Sequence, residues 1–561
     1  MNWLKSNFAF VTLLVFYLVL FVPFIGQVHL FDWDEINFAE AAREMILTGD
    51  WVNVQINFEP FWEKPPLFIW LQAISMKVFG VNEFAARFPN VVVGFITLFV
   101  LYFFVIRRYG KQAAIFSILL YIGSLTPHFY FKSGIIDPLF NLLIFGSVLY
   151  LIKSVEKNEN SSFFFSGICL GFAVLTKGPV ALLIVGLTGL FYQIIYKNNF
   201  YKIQNILSLI GGVFIPLVVV FGVQVYENGF WFLKEFLVYQ IDLFRYPIAS
   251  HGQPFYYHVV VLLVGCFPLF ILALRRMISR QRIQGDATMH RWMKVLFWVV
   301  LILFSSVTTK IVHYSSMCYL PLAVVGGVWL SGFQKMYLLE RVFLSLIGMI
   351  WVSILLIAGW IGVNRDGVLH YLRNNIGDEF TLAQLQTDVS WSIVPLVLAS
   401  VLFGVLISMI LKPSKVSITR FLTTNTLVIA LLMSTVISSV ESTVQGSWID
   451  HLTSYQDKEM AHFTFGFKSY AHRYYTKQKS FSELDQAKQV CIKRQNIESM
   501  YDLDQNEKKY FDNALRDLII RETDLPVSVS CKIQKFESIQ QIYPELKLVF
   551  EGNGYGVWER L

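Results

Sequence analysis

Charged residues are scarce in this sequence. Only 15% of its 561 residues are charged, whereas 55% are hydrophobic, and the mean hydropathy is +0.53. Soluble globular domains carry about 25% charged residues, so the composition excludes an ordinary soluble protein. The formal net charge of +7 does not require a nucleic-acid partner, because basic residues also orient membrane helices, and no nucleic-acid partner is expected. The composition therefore predicts a polytopic α-helical membrane protein.

Several familiar patterns are also missing. The sequence contains no His-Glu-x-x-His motif and no closely spaced cysteines, so no metal site follows from a motif. It shows no internal repeat with helices broken at matching positions, which lipid transporters usually have. The first apolar run, 7–29, lacks a small-residue cleavage motif and is too long for a signal-peptide core. We therefore expect this run to remain as a membrane helix.

Thirteen apolar runs approach the ~20 residues needed to cross about 30 Å of hydrocarbon. Basic residues cluster in alternate connections, which predicts that those connections and the N-terminus lie in the cytoplasm. The acidic and Pro-rich connections, including the long first loop 30–87, are then periplasmic. The predicted spans are 7–29, 88–106, 113–131, 138–152, 163–177, 179–196, 205–226, 256–274, 292–309, 314–332, 342–362, 392–411 and 421–440.

The C-terminal part of the chain has a different character. Charges become frequent and apolar runs shorten after about residue 440. We interpret 1–440 as a transmembrane domain and 441–561 as a small α/β domain on the outer side of the membrane. The last segment predicts a β-hairpin with an Asn-Gly turn. Cys491 and Cys531 share this domain, and in an oxidising compartment they form either a disulfide or two buried thiols.

The first periplasmic loop is rich in carboxylates, aromatics and prolines, which is unusual for a simple connector. Its apolar spacing predicts an amphipathic helix that lies on the bilayer, starts behind Asp34 and ends at Gly49. The helix dipole would keep the Asp34 carboxylate ionised. This residue is either the cap of the helix or a catalytic group. Asp137, which precedes Pro138 at the outer end of a span, has the same two interpretations.

Basic side chains accompany these carboxylates on the predicted outer face. Lys64 belongs to Glu63-Lys64-Pro65-Pro66, where two prolines stiffen the backbone, and its charge suits a lipid phosphate. Glu63 and His251 are candidate ligands of a divalent ion such as zinc, magnesium or manganese, and no organic cofactor is expected. The other basic side chains on this face are either solvated or in contact with an anionic ligand. The further substrate-binding candidates are Lys177, Arg245, Lys310 and Tyr314.

The ordered motifs resemble those of the polyprenyl-phosphate-sugar glycosyltransferases of the GT-C fold. The bacterial aminoarabinose transferases that modify lipid A are the most similar in pattern, and protein O-mannosyltransferases are more distant. Order and spacing agree over about residues 1–330. The motifs are WDEINFAEAAREMILTGDW, FWEKPPL, IIDPLF, LTKGPVAL, HGQPFYY and the segment Lys310–Tyr314.

The resemblance implies about thirteen transmembrane helices, with amphipathic juxtamembrane helices in the first loop. It implies a bacterial inner-membrane enzyme that takes a sugar from an undecaprenyl-phosphate-linked donor to a glycolipid or protein acceptor, with inversion at the anomeric carbon. Asp34 and Asp137 match the acidic positions of the family, and Lys64 matches its phosphate contact. Glu63 and His251 match positions associated with a bound metal.

Three positions depart from the aminoarabinose transferases. Asn37 stands where they carry Arg, Gly252 stands where Arg follows the histidine, and Val312 replaces a proline. The sugar and the acceptor are therefore left open. Two other classes remain as alternatives: a transporter or flippase of lipids or lipid-linked sugars, and a non-catalytic scaffold that presents the tail domain to a partner.

Overall fold

The chain is predominantly helical, with a small mixed sheet near its C-terminus. The computed structural model describes residues 8–32, 34–157, 159–197, 202–245, 252–279, 286–456, 458–497, 503 and 505–560. The helices are α1 (Phe8–Phe21), α2 (Asp34–Thr48), α3 (Leu67–Phe79), α4 (Glu83–Tyr109), α5 (Lys111–Ile122), α6 (Leu125–Tyr130), α7 (Asp137–Lys157), α8 (Asn160–Lys177), α9 (Val180–Tyr196), α10 (Ile203–Asn228), α11 (Trp231–Arg245), α12 (Tyr257–Gly265), α13 (Leu269–Ile278), α14 (Ala287–Ser306), α15 (Tyr319–Ser331), α16 (Leu338–Val363), α17 (Arg365–Asn375), α18 (Glu379–Gln386), α19 (Val394–Leu411), α20 (Lys415–Glu441), α21 (Ser447–Thr453), α22 (Ala471–Thr476), α23 (Ser482–Arg494), α24 (Gln505–Glu522) and α25 (Phe536–Ile542). The strands are β1 (Gln55–Ile56), β2 (Glu59–Pro60), β3 (Ala461–Phe465), β4 (Val527–Lys532), β5 (Lys547–Gly552) and β6 (Tyr555–Arg560).

The membrane domain agrees with the apolar pattern of the sequence. Eight described helical runs are long and apolar enough to cross a membrane, and four shorter apolar helices accompany them. Each of the thirteen predicted spans contains helix. The first, 7–29, is helical only at Phe8–Phe21, the runs predicted at 113–131 and 256–274 are each divided into two helices, and the run 314–332 begins in the 3-10 turn Val312–Cys318. The polytopic helical architecture is confirmed. The number thirteen stays a prediction, because length and composition identify only eight of these helical runs as spans.

Small residues allow close helix packing inside the membrane domain. Helices α8 and α10 cross where Gly167 faces Gly212. A methyl group added to Gly167 would lie 2.2 Å from the carbonyl oxygen of Leu209, and one added to Gly212 would lie 2.2 Å from that of Phe164. Such contacts matter where burial of apolar side chains adds little driving force between helices. They hold α8, which ends at Lys177, firmly against its neighbour.

Helix α2 starts at Asp34 and ends before Gly49, as its apolar spacing predicts. Its surroundings differ from the prediction of a helix lying on the bilayer, since residues 38–45 are all buried. Side chains of α3 and of the tail domain form one apolar core with it. A charged helix enclosed on all sides needs internal partners, because unpaired buried charges are strongly unfavourable. Arg43 illustrates this, with both of its bonds to the Glu40 carboxylate at 2.7 Å.

The tail domain contains a four-stranded sheet in the order β3-β4-β6-β5. Strand β3 is parallel to β4, whereas β4–β6 and β6–β5 are antiparallel. The predicted C-terminal hairpin is confirmed. Its turn places Asn553 at φ 52° and Gly554 at φ 75°, the left-handed conformation that an Asn-Gly turn favours. The small α/β tail is therefore present as expected, and it follows a helical run that extends without a break from 415 to 453.

The predicted disulfide between Cys491 and Cys531 is not formed. Both residues are free, buried thiols. They belong to the apolar core of the tail domain, together with side chains of α24 and β4. A buried thiol acts there as a small hydrophobic group. The alternative of two buried thiols is the one that the structure supports.

The tail domain and the first loop are joined by a shared apolar core. Trp448 and Tyr555 of the tail lie in one cluster with Ile36 and Met45 of α2. The rings of Trp448 and Tyr555 stack at a centroid distance of 4.2 Å. Aromatic side chains bury large areas, so this cluster provides a strong attachment. The tail is thus a fixed part of the first loop's surroundings.

A buried carboxylate next to this core makes the stability of the protein depend on pH. The Glu44 carboxylate of α2 accepts hydrogen bonds from the backbone N–H groups of Asn57 and Phe58, both at 2.7 Å. Burial, followed by repulsion from Glu40, raises the pKa of Glu44 from its ordinary value of 4.5 to about 8. The folded chain therefore binds this proton more tightly than the unfolded chain does.

We expect Glu44→Gln to flatten the pH dependence of stability between about pH 6.5 and 8. The folded-state pKa of Glu44 lies above the unfolded one, so in this window the wild type loses stability as pH rises. The expected loss is roughly 1–2 kcal/mol, seen as a lower Tm of the detergent-purified protein at pH 8. Glu545→Gln, at an exposed position, is the control and should keep the wild-type dependence. An unchanged slope in Glu44→Gln would contradict the assignment.

Candidate active site

A cleft of about 1230 Å³, including its opening to solvent, lies where the first loop, the membrane helices and the tail domain meet. Acidic, basic and aromatic side chains line it together. From the first loop come Asp32, Asp34, Asn37, Phe38, Phe61, Glu63 and Lys64; from the membrane domain Ile136, Lys177, Val180, Tyr239, Gln240, Phe304, Val307, Thr309, Ile311, His313 and Tyr314; and from the tail Lys468, Ser469 and Tyr470.

Asp34 is held in place by its neighbour in the sequence, Glu35. The Glu35 carboxylate accepts two hydrogen bonds from the Arg87 guanidinium of α4, at 2.9 and 2.8 Å. It also accepts bonds from the backbone N–H groups of Gly134, at 2.5 Å, and Phe31, at 3.0 Å. Burial opposes ionisation of Glu35, but the charge and bonds of Arg87 outweigh it and hold its pKa below the ordinary value. Glu35 thus ties the start of α2 to α4 and to the loop before Asp137.

Asp137 begins α7 and is almost completely buried, with a side-chain exposure of 1%. Its Oδ1 lies 2.5 Å from the Lys177 ammonium at the end of α8, and the Ser316 hydroxyl donates to the same oxygen at 3.5 Å. Lys177 lines the cleft, whereas Asp137 lies behind it. The carboxylate therefore faces Lys177 rather than the open cleft.

Lys64 projects into the cleft from the Pro-stiffened turn that precedes α3. Its ammonium lies 5.6 Å from the centre of the Tyr239 ring of α11, within the range of a cation–π contact. The neighbouring Glu63 accepts a hydrogen bond from the Tyr239 hydroxyl at 3.3 Å and lies 3.8 Å from the Lys468 ammonium. Lys64 makes no ion pair with any described carboxylate. It is the cleft lysine best placed to meet an added anion.

Of the remaining predicted site residues, some line the cleft and others do not. Tyr314 lines the cleft, and the Lys177 ammonium lies 5.2 Å from its ring centre. Lys310 does not line it, because its ammonium turns to the carbonyl of Val307 at 2.7 Å. The interpretation of Lys310 as a cleft residue therefore disagrees with its position. Arg245 ends α11, but its side chain is outside what the structure describes, and His251 lies outside the described residues altogether.

The predicted metal site finds limited support among the described side chains. Glu63 is occupied by a tyrosine hydroxyl and a lysine. Within the described part of the chain, no group of three or more His, Cys, Asp or Glu side chains is arranged to hold a metal ion. His251 lies outside the described residues, so the metal site at Glu63 and His251 stays a prediction. We derive no chemical step from a metal.

The cleft also contains His313, which is one of the basic residues at the outer ends of the predicted spans, and three tail residues that were not predicted. His313 stands in the turn Val312–Cys318, and its Nε2 lies 3.8 Å from Oδ2 of Asp34. The tail contributes Lys468 and its two neighbours, which also border a second cavity of about 2150 Å³ between the first loop and the tail. A histidine at the outer end of a span is a recognisable sequence feature. The contribution of the tail has no such local feature, because it depends on how the two domains pack.

The family of dolichyl-phosphate-mannose-protein mannosyltransferases matches residues 63–226. An undecaprenyl phosphate-alpha-4-amino-4-deoxy-L-arabinose arabinosyl transferase of Photorhabdus laumondii is 28% identical over 358 residues, which cover 61% of this chain and 64% of the relative. The protein of that name from Pectobacterium carotovorum is 27% identical over 344 residues, which cover 59% of each chain. The chain thus matches less than two thirds of the length of these relatives.

Two solved structures are similar over nearly the whole chain. The crystal structure of ArnT from Cupriavidus metallidurans bound to undecaprenyl phosphate has a TM-score of 0.72 at 15% identity, and covers 99% of this chain and 98% of ArnT. The apo structure of the same protein has a TM-score of 0.73 at 16% identity, with the same coverage. At this identity the likeness concerns the fold. The chain therefore has the fold of ArnT, and the resemblance to the GT-C polyprenyl-phosphate-sugar glycosyltransferases is confirmed.

Proposed function

We propose that this chain is an integral membrane glycosyltransferase. It moves a sugar from an undecaprenyl-phosphate-linked donor to a glycolipid or protein acceptor, with inversion at the anomeric carbon. The observation that carries the proposal is the meeting of Asp34, Lys64 and the Asp137–Lys177 pair around one cleft at the edge of the membrane domain. The family match and the fold of ArnT support it.

The donor phosphate is expected to bind next to Lys64. This ammonium reaches the cleft without a carboxylate partner among the described residues, and Lys177 lines the same cleft. A phosphate that leaves the sugar gains negative charge, and preorganised cations stabilise that charge in the transition state. Aromatic side chains such as Tyr239, Tyr314 and Phe304 provide the apolar walls that a sugar or isoprenoid chain needs.

The two carboxylates have different tasks in this proposal. Asp34, with a third of its side chain exposed, faces the cleft and orients the acceptor. Asp137 is buried and holds the Lys177 ammonium at 2.5 Å, so it acts through that lysine. Sugar transfer then proceeds as a single displacement: the acceptor oxygen bonds to the anomeric carbon while the bond from that carbon to the phosphate oxygen breaks. The polyprenyl phosphate leaves as an anion and needs no strong acid.

The cleft is expected to face the periplasm of a bacterial cell, with the N-terminus in the cytoplasm. The chain is a multi-pass membrane protein, and the alternation of basic and acidic connections supports this orientation. Because the tail domain contributes Lys468 to the cleft, the tail would lie on the same side. A divalent metal at Glu63 and His251 remains part of the proposal that only metal analysis of the purified protein can test.

We expect Lys64→Met to weaken binding of undecaprenyl phosphate by about 10- to 100-fold, because the variant loses a charge-assisted hydrogen bond. Binding is measured by titration of the purified protein with undecaprenyl phosphate. Lys77→Met is the matched control, since Lys77 lies in the same loop against Trp51 and outside the cleft. Equal affinities for the two variants would contradict the donor site.

We expect Asp34→Asn to abolish one defined sugar modification of the cell envelope while the protein remains in the membrane. Loss of a positioned carboxylate should lower transfer at least about 100-fold. Mass spectrometry of membrane lipids and envelope glycans, with and without the variant, identifies the sugar and the acceptor together. A flippase would instead accumulate lipid-linked sugar on the inner leaflet, and a scaffold would leave the modification unchanged. Either of those results would overturn the proposal.

We expect Asp137→Asn to cost about 3–5 kcal/mol of stability, because it leaves the poorly exposed Lys177 ammonium without its carboxylate. The double variant Asp137→Asn/Lys177→Met removes both charges and should recover most of the lost Tm in detergent. Transfer should remain low in the double variant, since Lys177 is absent. A single variant with the wild-type Tm, or a double variant with full transfer, would contradict the role assigned to this pair.

A further inference from the structure

The space between Asp34 and His313 is suited to a hydroxyl group. Nε2 of His313 lies 3.8 Å from Oδ2 of Asp34, and the two side chains are 19% and 33% exposed. Both line the cleft. An oxygen atom at about 2.7–2.9 Å from each of them can bridge a gap of this size. Such an oxygen would have a carboxylate on one side and an imidazole on the other.

His313 is also firmly positioned. It belongs to the short helical turn Val312–Cys318, whose Ser316 accepts a hydrogen bond from the Asn141 amide at 2.9 Å. The same Ser316 donates to Asp137. The imidazole packs edge-on against Tyr314, with ring centres 5.5 Å apart. The turn is therefore tied to the start of α7, and the imidazole stays close to the catalytic carboxylates.

Among the described residues of the cleft, most of the positive charge is already paired. Among its lining lysines, Lys177 is paired with Asp137 and Lys468 lies 3.8 Å from Glu63. Lys64 alone has no ion pair with a described carboxylate, and the donor phosphate occupies it in the proposed function. The neutral Asn37, and not a cation, lines the cleft in the same helix as Asp34. An acceptor phosphate at this end would face the Asp34 carboxylate, and like charges at short range repel.

We propose that His313 is the proton acceptor of the transfer reaction and that the acceptor substrate reacts through a neutral hydroxyl group, not through a phosphate. This inference rests on the proposed glycosyltransferase function and names the chemical class of its acceptor. A phosphate is already ionised near neutral pH and needs no base. A hydroxyl must lose its proton during the attack, and imidazole is a stronger base than a carboxylate.

The proposed step is balanced within the cleft. The hydroxyl oxygen forms a bond to the anomeric carbon, and the bond from that carbon to the phosphate oxygen breaks. The hydroxyl proton passes to Nε2 of His313, and the polyprenyl phosphate leaves as an anion beside Lys64. Asp34, whose Oδ2 lies 3.8 Å from Nε2, stabilises the positive imidazole after it has taken the proton. The proton returns to water after the product has left.

The first experiment determines the linkage of the product. The envelope component that carries the transferred sugar is isolated from cells with the wild-type chain and treated with mild acid, which cleaves sugar–phosphate bonds and spares ordinary glycosides. We expect the sugar to survive and the phosphorus NMR spectrum to show no new phosphodiester. Release of the sugar together with a new phosphodiester signal would overturn the inference. If the wild type and Asp34→Asn yield no differing component, the glycosyltransferase function itself fails, which is a separate result.

The second experiment tests the histidine. His313→Gln keeps hydrogen-bonding atoms but cannot accept a proton, so we expect kcat to fall by about 10²- to 10⁴-fold, the usual contribution of a general base. Binding of undecaprenyl phosphate by the purified variant should remain within about threefold of wild type, because Lys64 is untouched. His370→Gln, at an exposed position of α17, is the control. A kcat within about tenfold of wild type would overturn the assignment.

A second variant separates chemistry from folding. His313→Ala leaves a space in the cleft, and added imidazole should restore part of its kcat without changing the affinity for undecaprenyl phosphate. The same addition should have no effect on wild type or on Asp34→Asn. Absence of rescue in a His313→Ala protein that keeps its Tm and its lipid affinity would show that the histidine has a structural role only.

Discussion

The buried ion pair between Glu35 and Arg87 is the interaction on which the rest of the site depends. Arg87 donates not only to Glu35 but also to the backbone carbonyls of Ile25, Val28 and His29. One guanidinium thus joins α4, the entry to the first loop and the start of α2, while Glu35 reaches the loop before α7. Breaking a buried pair of this kind costs about 3–5 kcal/mol. Here it would also release Asp34, which immediately precedes Glu35, from its place in the cleft.

A second constraint is the packing of the tail domain on the first loop. The shared apolar core around Trp448 and Tyr555 encloses α2, and the polar side chains of that helix are satisfied by both parts of the chain. Arg43, for example, binds Glu40 and also the carbonyl of Gln478 in the tail at 2.9 Å. Because the tail also supplies Lys468 to the cleft, it is part of the site's wall. Helix α2 is therefore positioned from both sides.

The arrangement of charges explains how one cleft separates two tasks. Buried Asp137 neutralises Lys177, and Glu63 lies close to Lys468, so the excess positive charge of the cleft is concentrated at Lys64. Negative charge lies at the start of α2, where Oδ2 of Asp34 is 3.8 Å from Nε2 of His313. Opposite charges near a reacting centre stabilise a developing anion at one end and a developing cation at the other. The cleft is polarised in this way before any substrate binds.

The amino-acid sequence by itself determined the features that depend on neighbours along the chain. Apolar runs specify the membrane helices, the spacing after Asp34 specifies α2, and the Asn553-Gly554 pair specifies the last turn, because local backbone preferences and burial decide each of them. Only the tertiary structure decided that Asp137 faces Lys177, that Lys310 turns away, that Cys491 and Cys531 remain unpaired, and that His313 meets Asp34. The contacts of Asp137 with Lys177 and of His313 with Asp34 join residues far apart in the chain, so long-range packing selects them.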